Sequence, residues 1–311
     1  MNGLLIVNKP VGPTSHDIVY KVRKWSGERR VGHTGTLDPM ASGVLILCLG
    51  PATRISEYLL GGDKQYQAVV RLGQTTTTYD AEGQFLEQGP VNVALEQIES
   101  TLPGFRGTIS QVPPAFSAVQ VGGRRAYNMA RRGETPNLAP RPVTIHRLDL
   151  LSWQSPDLTL NVTCSAGTYI RSLAHDLGQA LGCGGHLVAL TRTAAGGFTL
   201  EDAHGPAHVE SAFKAGRGQE LIRPTDHALQ HWPAIHLDSA GANRIAHGNP
   251  VPMQNPPEGL RSAPERSGAG EPSGGFPCLG RAYDPDGCLI AIVEADLTTQ
   301  QWKPKKVLAT G

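Results

Sequence analysis

A short polar run of the sequence, HTGTLDP at residues 33–39, carries side chains that could do chemistry. It holds His33 and two threonines ahead of Asp38, and it precedes an apolar run from Val44 to Leu49. A carboxylate can serve as a nucleophile or as a general base. An aspartate before a proline is, on its own, more typical of a turn. The two flanking glycines let a ligand approach the backbone, and a buried strand behind the loop would hold it still.

A second candidate is Arg171, in the run GTYIRSLAHDLG. An anionic Asp38 in a partly closed pocket needs a compensating cation, and an arginine keeps its charge and can hold a carboxylate with two hydrogen bonds. The alternative is an ordinary surface arginine, because sequence alone does not bring Arg171 to Asp38. Tyr66 and Tyr169 lie beside polar motifs, and such rings stack on nucleobases for about 1–3 kcal/mol per base. Packing within a strand is the competing interpretation for Tyr66.

The sequence shows no recognisable cofactor or metal motif. It has no GxxxxGK[ST] phosphate loop, no dinucleotide fingerprint after a strand, no GxSxG and no HExxH. The five cysteines form no CxxC pair and predict neither a disulfide framework nor a zinc site. We therefore expect no cofactor and no metal.

Charge is concentrated locally, although the net charge of the 311-residue chain is only +1. The arginine-rich segment, which we define as residues 121–148, holds one acid and six arginines: Arg124, Arg125, Arg131, Arg132, Arg141 and Arg147. A second basic group near the N-terminus is Lys9, Lys21, Arg23, Lys24, Arg29 and Arg30. Such clusters suit phosphates, but a solvated charged face explains them equally well.

The sequence contains neither a membrane span nor a secretion signal. The N-terminal apolar run has five residues and no cleavage signature, and no apolar run approaches the length of a membrane span. We therefore expect a cytoplasmic protein without a membrane partner.

The elements that must position Asp38 can be predicted from periodicity. GLLIVNK reads as a strand, and SHDIVYKVRKWSG as a helix with Ser15 as its N-cap and Gly27 at its end. The run from Val44 to Leu49 reads as a strand buried on both faces. KQYQAVVRLG alternates as a strand with one apolar face, and IRSLAHDLGQAL repeats apolar residues at helical spacing.

The chain divides by composition near residue 225. Residues 1–225 read as a mixed α/β body that includes the arginine-rich segment, and residues 226–311 read as a small β-rich module. Within that module, Gly, Pro and Ser fill 13 of the 23 positions from 255 to 277, which indicates a flexible insert.

These motifs together resemble the TruB-type bacterial tRNA pseudouridine synthases over nearly the whole chain. The motifs that carry the resemblance are NKPVGPTS, GHTGTLDPMASGVLILCLG, DKQY, GTYIRSLAHDLG and LVALTRTAAG. The second is long and specific, and it places Asp38 on the nucleophile of the family. The chain departs from the usual pattern at Asn8, Phe116, Gln120 and Thr191.

The resemblance implies a role for each candidate residue. Asp38 attacks the target uridine, His33 takes the space that the flipped base leaves, and Tyr66 stacks on that base. Around them, the resemblance implies substrate-binding roles for Lys9, Tyr169, Arg171 and Leu190, with Arg171 as the ion-pair partner of Asp38. It implies contacts to RNA for Arg124, Arg125, Arg131, Arg132 and Arg192. Tyr66 is also a candidate for the final base.

The resemblance also implies a fold and a reaction. The fold is the α/β pseudouridine synthase fold, with a mixed, largely antiparallel sheet flanked by helices and a small β-rich PUA-like C-terminal domain. The reaction converts uridine 55 in the tRNA T-loop to pseudouridine without a cofactor, a guide RNA or a protein partner, in a monomer.

Three other functions remain open at this stage. One is a tRNA-binding folding chaperone that needs no chemistry, which the basic clusters fit equally well. Another is a guide-RNA-dependent pseudouridine synthase, whose catalytic core looks similar. A metal-dependent hydrolase is a distant third, because the sequence offers no ligand cluster.

Overall fold

The computed structural model describes residues 1–253 and 278–308. The strands of these residues are β1 Gly3–Lys9, β2 Val31–His33, β3 Ala41–Leu49, β4 Lys64–Leu72, β5 Gln74–Thr76, β6 Phe85–Gln88, β7 Gly107–Gln111, β8 Gln120–Val121, β9 Arg124–Arg125, β10 Arg141–Gln154, β11 Asp157–Cys164, β12 Gly185–Ala195, β13 Phe198–Thr199, β14 Ile222–Arg223, β15 Ala234–His236, β16 Val251–Pro252, β17 Leu279–Tyr283, β18 Leu289–Asp296 and β19 Gln301–Val307. The helices are α1 Ser15–Ser26, α2 Ser56–Leu60, α3 Leu95–Thr101, α4 Ala126–Ala130, α5 Ile170–Ala180, α6 Pro206–Lys214 and α7 Ser239–Ala246. The insert predicted at 255–277 lies outside the described residues.

A ten-stranded sheet forms the body of the molecule, in the order β14-β1-β3-β12-β4-β11-β10-β7, with β2 beside β3 and β13 beside β12. Its neighbours pair antiparallel along β1–β3, β12–β4 and β4–β11, whereas β3 and β12 run parallel. Apolar residues of α1 and α5 pack on this sheet in one core. The predicted mixed, largely antiparallel sheet flanked by helices is therefore confirmed.

The predicted elements near Asp38 are present, with two corrections. Thr14, and not Ser15, is the N-cap of α1: its hydroxyl accepts from the Asp17 N–H, and the Asp17 carboxylate accepts from the Thr14 N–H. Ser15 is instead buried and exchanges hydrogen bonds with the backbone of Leu37. The strand predicted from Val44 begins earlier, at Ala41.

Strands β3 and β4 lie on either side of β12 near the centre of the sheet. β3 is buried along nearly its whole length, as its unbroken apolar run predicted. β4 alternates as predicted, with Tyr66, Ala68, Val70 and Leu72 buried on one face. It lies between β11 and β12. The site can therefore draw side chains from several strands at one end of a rigid sheet.

The arginine-rich segment is only partly separate from the sheet. Residues 120–130 form the β8–β9 hairpin and helix α4, and both arginines of β9 are exposed. Strand β10 already begins at Arg141 and pairs with β7. The predicted insertion thus ends before residue 148, because its last residues supply ladder hydrogen bonds to the main sheet.

A second, five-stranded sheet follows in the order β15-β17-β18-β19-β16. Its core packs Trp302 and Val293 against Ile245 of α7. The predicted hairpin turn at residues 284–287 joins β17 to β18. A C-terminal β domain is therefore confirmed, while the domain boundary at residue 225 stays a prediction. Among the described residues, no helix has both the length and the apolar content needed to cross a membrane.

Candidate active site

Five of the residues predicted to be catalytic or to bind substrate line one pocket, whose volume is about 510 Å³. They are Asp38, Tyr66, Tyr169, Arg171 and Leu190. Their elements are the loop before β3, strand β4, the start of α5 and strand β12. The fold thus brings together residues that lie more than 150 positions apart in the sequence.

Asp38 and Arg171 form an ion pair in this pocket. Arg171 Nε lies 3.0 Å from Asp38 Oδ2. The arginine side chain is only 7% exposed, whereas the aspartate side chain is 36% exposed. The buried guanidinium compensates the carboxylate charge, and the carboxylate still faces the pocket. This is the geometry that a substrate-facing anionic group requires.

Arg171 also binds a second carboxylate, Asp80, which sequence reasoning missed. Arg171 Nη1 lies 3.3 Å from Asp80 Oδ2, and the Asp80 side chain is 4% exposed. Asp80 Oδ1 accepts from Thr78 Oγ1 at 2.5 Å and from the Glu82 N–H at 3.0 Å. The run TTTTYDAEG gave a weak signal, since a lone acid among hydroxyls also describes an ordinary polar loop.

The backbone of the Asp80 loop turns sharply at Tyr79. Tyr79 has φ +62°, a conformation that few non-glycine residues adopt. Its ring stacks on His175 of α5 with centroids 3.9 Å apart. The turn lets both the Thr78 carbonyl and the Asp80 carboxylate accept from Arg171. The loop is therefore fastened to the helix that carries the arginine.

Lys9 supports the backbone of the Asp38 loop, and its fully buried side chain has no surface that a substrate could contact. Its side chain is fully buried, and its ammonium donates to the carbonyls of Pro10 at 2.9 Å, Pro13 at 2.8 Å and Pro39 at 3.4 Å. The substrate-binding role predicted for Lys9 is therefore wrong as direct contact. Burial lowers the pKa of Lys9 to about 8.

Arg192 holds the same loop from the other side. It is 2% exposed, and it donates to the carbonyls of Val44 at 2.7 Å, Gly35 at 3.2 Å and Thr36 at 3.4 Å. The RNA contact of Arg192 stays a prediction: the side chain lines the pocket, and three of its donors are used by backbone carbonyls. Gly43 permits the close pairing of β3 with β12, because a Cβ there would lie 2.2 Å from the backbone carbonyl oxygen of Arg192.

The aromatic candidates differ in burial. Tyr66 is 7% exposed on the pocket wall, and burial raises the pKa of its phenol. That direction is opposite to what a general base needs at neutral pH. Tyr169 is half-buried at the N-cap position of α5. Leu190 supplies an apolar wall.

His33 lies beside the pocket, at the end of β2. Its ring meets the ring of His16 edge to face, with centroids 5.4 Å apart. Burial lowers the pKa of His33, helped by the charges of His16 and Arg192. Burial and these neighbouring charges therefore favour the neutral form of the imidazole.

Four of the five arginines predicted to contact RNA are exposed, and three of these four lie at or next to the pocket. Arg125 lines the pocket itself, and Arg124, Arg125 and Arg132 line a smaller cavity of about 400 Å³ next to it. Arg124 pairs with Glu134 at 2.8 Å, and Arg131 lies over the Tyr127 ring. In the part of the chain that the structure describes, no cluster of three or more His, Cys, Asp or Glu could hold a metal ion.

Comparison with protein families gives two matches that adjoin along the chain. Residues 23–170 match the model of the TruB family pseudouridylate synthase N-terminal domain. Residues 171–230 match the model of the tRNA pseudouridylate synthase B C-terminal domain. The junction falls between Ile170 and Arg171, so the ion pair joins residues from both matched regions.

Curated relatives and solved structures agree with these matches. The tRNA pseudouridine synthase B of Thiobacillus denitrificans is 43% identical over 310 residues, which cover 100% of this chain and 97% of the relative. That of Pseudomonas aeruginosa is 46% identical and covers 83% of this chain and 86% of the relative. The crystal structure of a Cbf5-Nop10-Gar1 complex contains a chain with TM-score 0.72 and 26% identity, covering 99% of this chain and 85% of that chain.

Proposed function

The chain belongs to the TruB family of pseudouridine synthases, and we propose that it isomerises uridine 55 in the T-loop of tRNA to pseudouridine. The observation that carries the proposal is the Asp38–Arg171 pair, in which a buried cation holds a partly exposed carboxylate in a pocket of about 510 Å³. Such a pocket suits a small organic ligand such as a nucleoside. Relatives at 43–46% identity named tRNA pseudouridine synthase B support tRNA as the substrate.

The reaction begins with extrusion of the target base from the RNA. Flipping costs a few kcal/mol, and His33 would offset part of this by filling the space that the base leaves. The extruded uracil would stack on Tyr66, with Leu190 beside it. Because burial raises the pKa of the Tyr66 phenol, we assign it to stacking rather than to proton removal.

Asp38 then attacks the nucleotide, and the N1–C1′ glycosidic bond breaks. The freed base rotates, C5 bonds to C1′, and C5 loses its proton to give pseudouridine. Atoms balance without a cofactor, since the product is an isomer of the substrate. The first step would be attack of Asp38 on C6, attack of Asp38 on C1′ or removal of the 2′ proton by Asp38.

The rest of the chain would bind the RNA around the target loop. We assign Arg124, Arg125, Arg131 and Arg132 to phosphates of the T-arm, because all four are exposed and three of them line cavities at or next to the pocket. We assign the β-rich module after residue 225 to a PUA-like RNA-binding role. The protein would act as a cytoplasmic monomer without a partner protein.

A guide-RNA-dependent synthase is the second candidate, since a chain of the Cbf5-Nop10-Gar1 complex shares the fold. The stand-alone enzyme is favoured because its named relatives are 43–46% identical, against 24–26% for chains of such complexes. Activity on a tRNA transcript with no guide RNA distinguishes the two.

The experiment is tritium release from a tRNA transcript labelled at C5 of uridine, with wild type and Asp38→Asn side by side. C5 loses its hydrogen only when the base is re-attached through that carbon. We expect wild type to release about one equivalent per tRNA and Asp38→Asn to release none. Tight tRNA binding without release from wild type would instead indicate a binding protein or an RNA chaperone.

A further inference from the structure

A buried glutamine joins the segment after β7 to the start of α5. Gln111 is the last residue of β7 and is 1% exposed. Its amide nitrogen donates to the Tyr169 carbonyl at 3.0 Å, and its amide oxygen accepts from the Tyr169 N–H at 2.8 Å. A side-chain amide offers one donor and one acceptor group in this arrangement, so both backbone groups of Tyr169 are satisfied at once.

This contact lies at the start of α5, a helix end that has no side-chain cap. Tyr169 is the N-cap residue, and its side chain makes no capping hydrogen bond. The next residues also bind the segment that follows Gln111. Arg171 Nη2 donates to the Phe116 carbonyl at 3.0 Å, and Ser172 Oγ donates to the Val112 carbonyl at 2.7 Å.

These contacts form one continuous connection from the arginine-rich segment to the catalytic pair. The chain leaves β7 at Gln111, passes Phe116 and enters the β8–β9 hairpin that carries the exposed arginines. The same stretch fixes the backbone that orients Tyr169 and Arg171 toward the pocket. Tyr169 precedes Arg171 by two residues at the start of α5, so a shift of its backbone would move the base of the side chain that contacts Asp38 at 3.0 Å.

We propose that Gln111 is a positioning residue for the chemical step, acting through Tyr169 and Arg171 and making no contact with RNA. This inference rests on the proposed function. The side chain is buried behind the helix start, so its loss should change the rate of isomerisation without changing the affinity for tRNA. Misplacement of a reacting group by about 1 Å can cost 100-fold in rate.

The experiment compares wild type with Gln111→Leu and Gln111→Glu under single-turnover conditions with excess enzyme, with tritium release and the Kd for tRNA measured in parallel. Gln111→Leu removes both hydrogen bonds. Gln111→Glu keeps the acceptor and loses the donor while the introduced carboxylate is ionised. A matched control is Ile98→Val in α3, a buried change that lowers stability away from the pocket.

We expect Gln111→Leu to lower the single-turnover rate constant 10- to 100-fold with the Kd within twofold of wild type. The rate of Gln111→Glu relative to wild type should recover as pH falls from 8 to 5.5, because a protonated carboxyl group regains the donor. Ile98→Val should lower the melting temperature and leave the rate unchanged.

Two results would overturn the inference. One is a lowered melting temperature with unchanged rates in both Gln111 variants, which would make the contact purely structural. The other is a weaker Kd with a normal rate at saturation, which would make Gln111 part of RNA binding. Absence of tritium release from wild type would reject the proposed function instead, so the two failures are distinguishable. If Gln111→Leu does not fold, Gln111→Glu carries the test alone.

Discussion

Two loops that each carry an aspartate meet at Arg171, and the two aspartate side chains differ in what they do. The Asp38 loop is held almost entirely by its backbone, through Lys9, Ser15 and Arg192. The Asp38 carboxylate itself stays 36% exposed. The Asp80 loop is held by backbone hydrogen bonds to Leu187 and, in addition, by its carboxylate, which is 4% exposed and binds Thr78, the Glu82 N–H and Arg171.

The difference shows how a fold can free one carboxylate for chemistry. A loop fixed by backbone contacts leaves the lone pairs of its side chain available to a substrate. A loop fixed by its side chain has consumed those lone pairs in structure. Arg171 needs both kinds of partner, because the second carboxylate holds the guanidinium in place while the first faces the pocket.

The strongest test of this comparison is Asp38→Asn. The amide keeps the size of the side chain and loses its charge and nucleophilicity, so turnover should fall at least about 1,000-fold. The free energy of unfolding should change by less than about 1 kcal/mol, because the carboxylate is partly exposed and the loop is held by backbone. Denaturant unfolding beside tritium release checks both. A loss of several kcal/mol would show that Asp38 is structural.

Asp80→Asn should lower stability more, and turnover less, than Asp38→Asn does. Its amide nitrogen would face the donors that the carboxylate now accepts from, so we expect a loss of about 1–3 kcal/mol of stability. Turnover should fall about 10- to 100-fold, since Arg171 loses one of its anchors. The same two measurements apply. Greater loss of turnover than in Asp38→Asn would reverse the assignment of the two loops.

The exposed arginines offer a test that leaves both loops untouched. Replacing Arg131 and Arg132 by Gln should weaken tRNA binding about tenfold and flatten the slope of log Kd against log salt by up to about 2. The single-turnover rate at saturating enzyme should stay the same. The matched control is Lys214→Gln with Arg217→Gln, two exposed cations at the end of α6 and just beyond it. If the two double variants had the same slope of log Kd against log salt, a phosphate-binding role for the arginine-rich segment would be refuted.

The smallest effect at neutral pH concerns Lys9, whose ammonium contacts the Asp38 loop. The charge of this ammonium, and with it the stability of the protein, depends on pH. Burial lowers the pKa of Lys9 to about 8, whereas an exposed lysine titrates near 10.5. Between these values the unfolded chain binds more protons, so the contribution of Lys9 to the free energy of unfolding rises with pH from about 8 to 10.5. At 1.36 kcal/mol per pKa unit, the rise is at most about 3 kcal/mol. Lys9→Met should remove this rise. Denaturant titrations of both proteins at pH 7, 8.5 and 10 would measure it. The same pH dependence of the free energy of unfolding in wild type and variant would contradict the shifted pKa.

Local sequence signals predicted the elements but not the assembly of the site. Alternation in β4 and helical spacing in α5 follow from which face of each element is buried, so both appear in the sequence. The family motif identified Asp38 and Arg171. Their 3.0 Å contact depends on sheet order, which no local pattern contains.

Burial of polar groups by distant parts of the chain is what the sequence did not reveal. The resemblance implied that Lys9 contacts the substrate and that Arg192 contacts RNA. Both are buried because backbone carbonyls of the Asp38 loop satisfy their donors. Asp80 and Gln111 were overlooked for the same reason, since their partners lie about 90 and 58 residues away.

The parallel pairing of β3 with β12 has a consequence for co-translational folding. The Asp38 loop is made early, but Arg192, which holds the Gly35 and Thr36 carbonyls, follows 157 and 156 residues later. At typical rates of translation this interval lasts roughly 10–30 s. During that time the loop lacks half of its scaffold, and a chain that stops before β12 cannot complete it. The contacts that hold the Asp38 loop are therefore complete only after β12 has been synthesised.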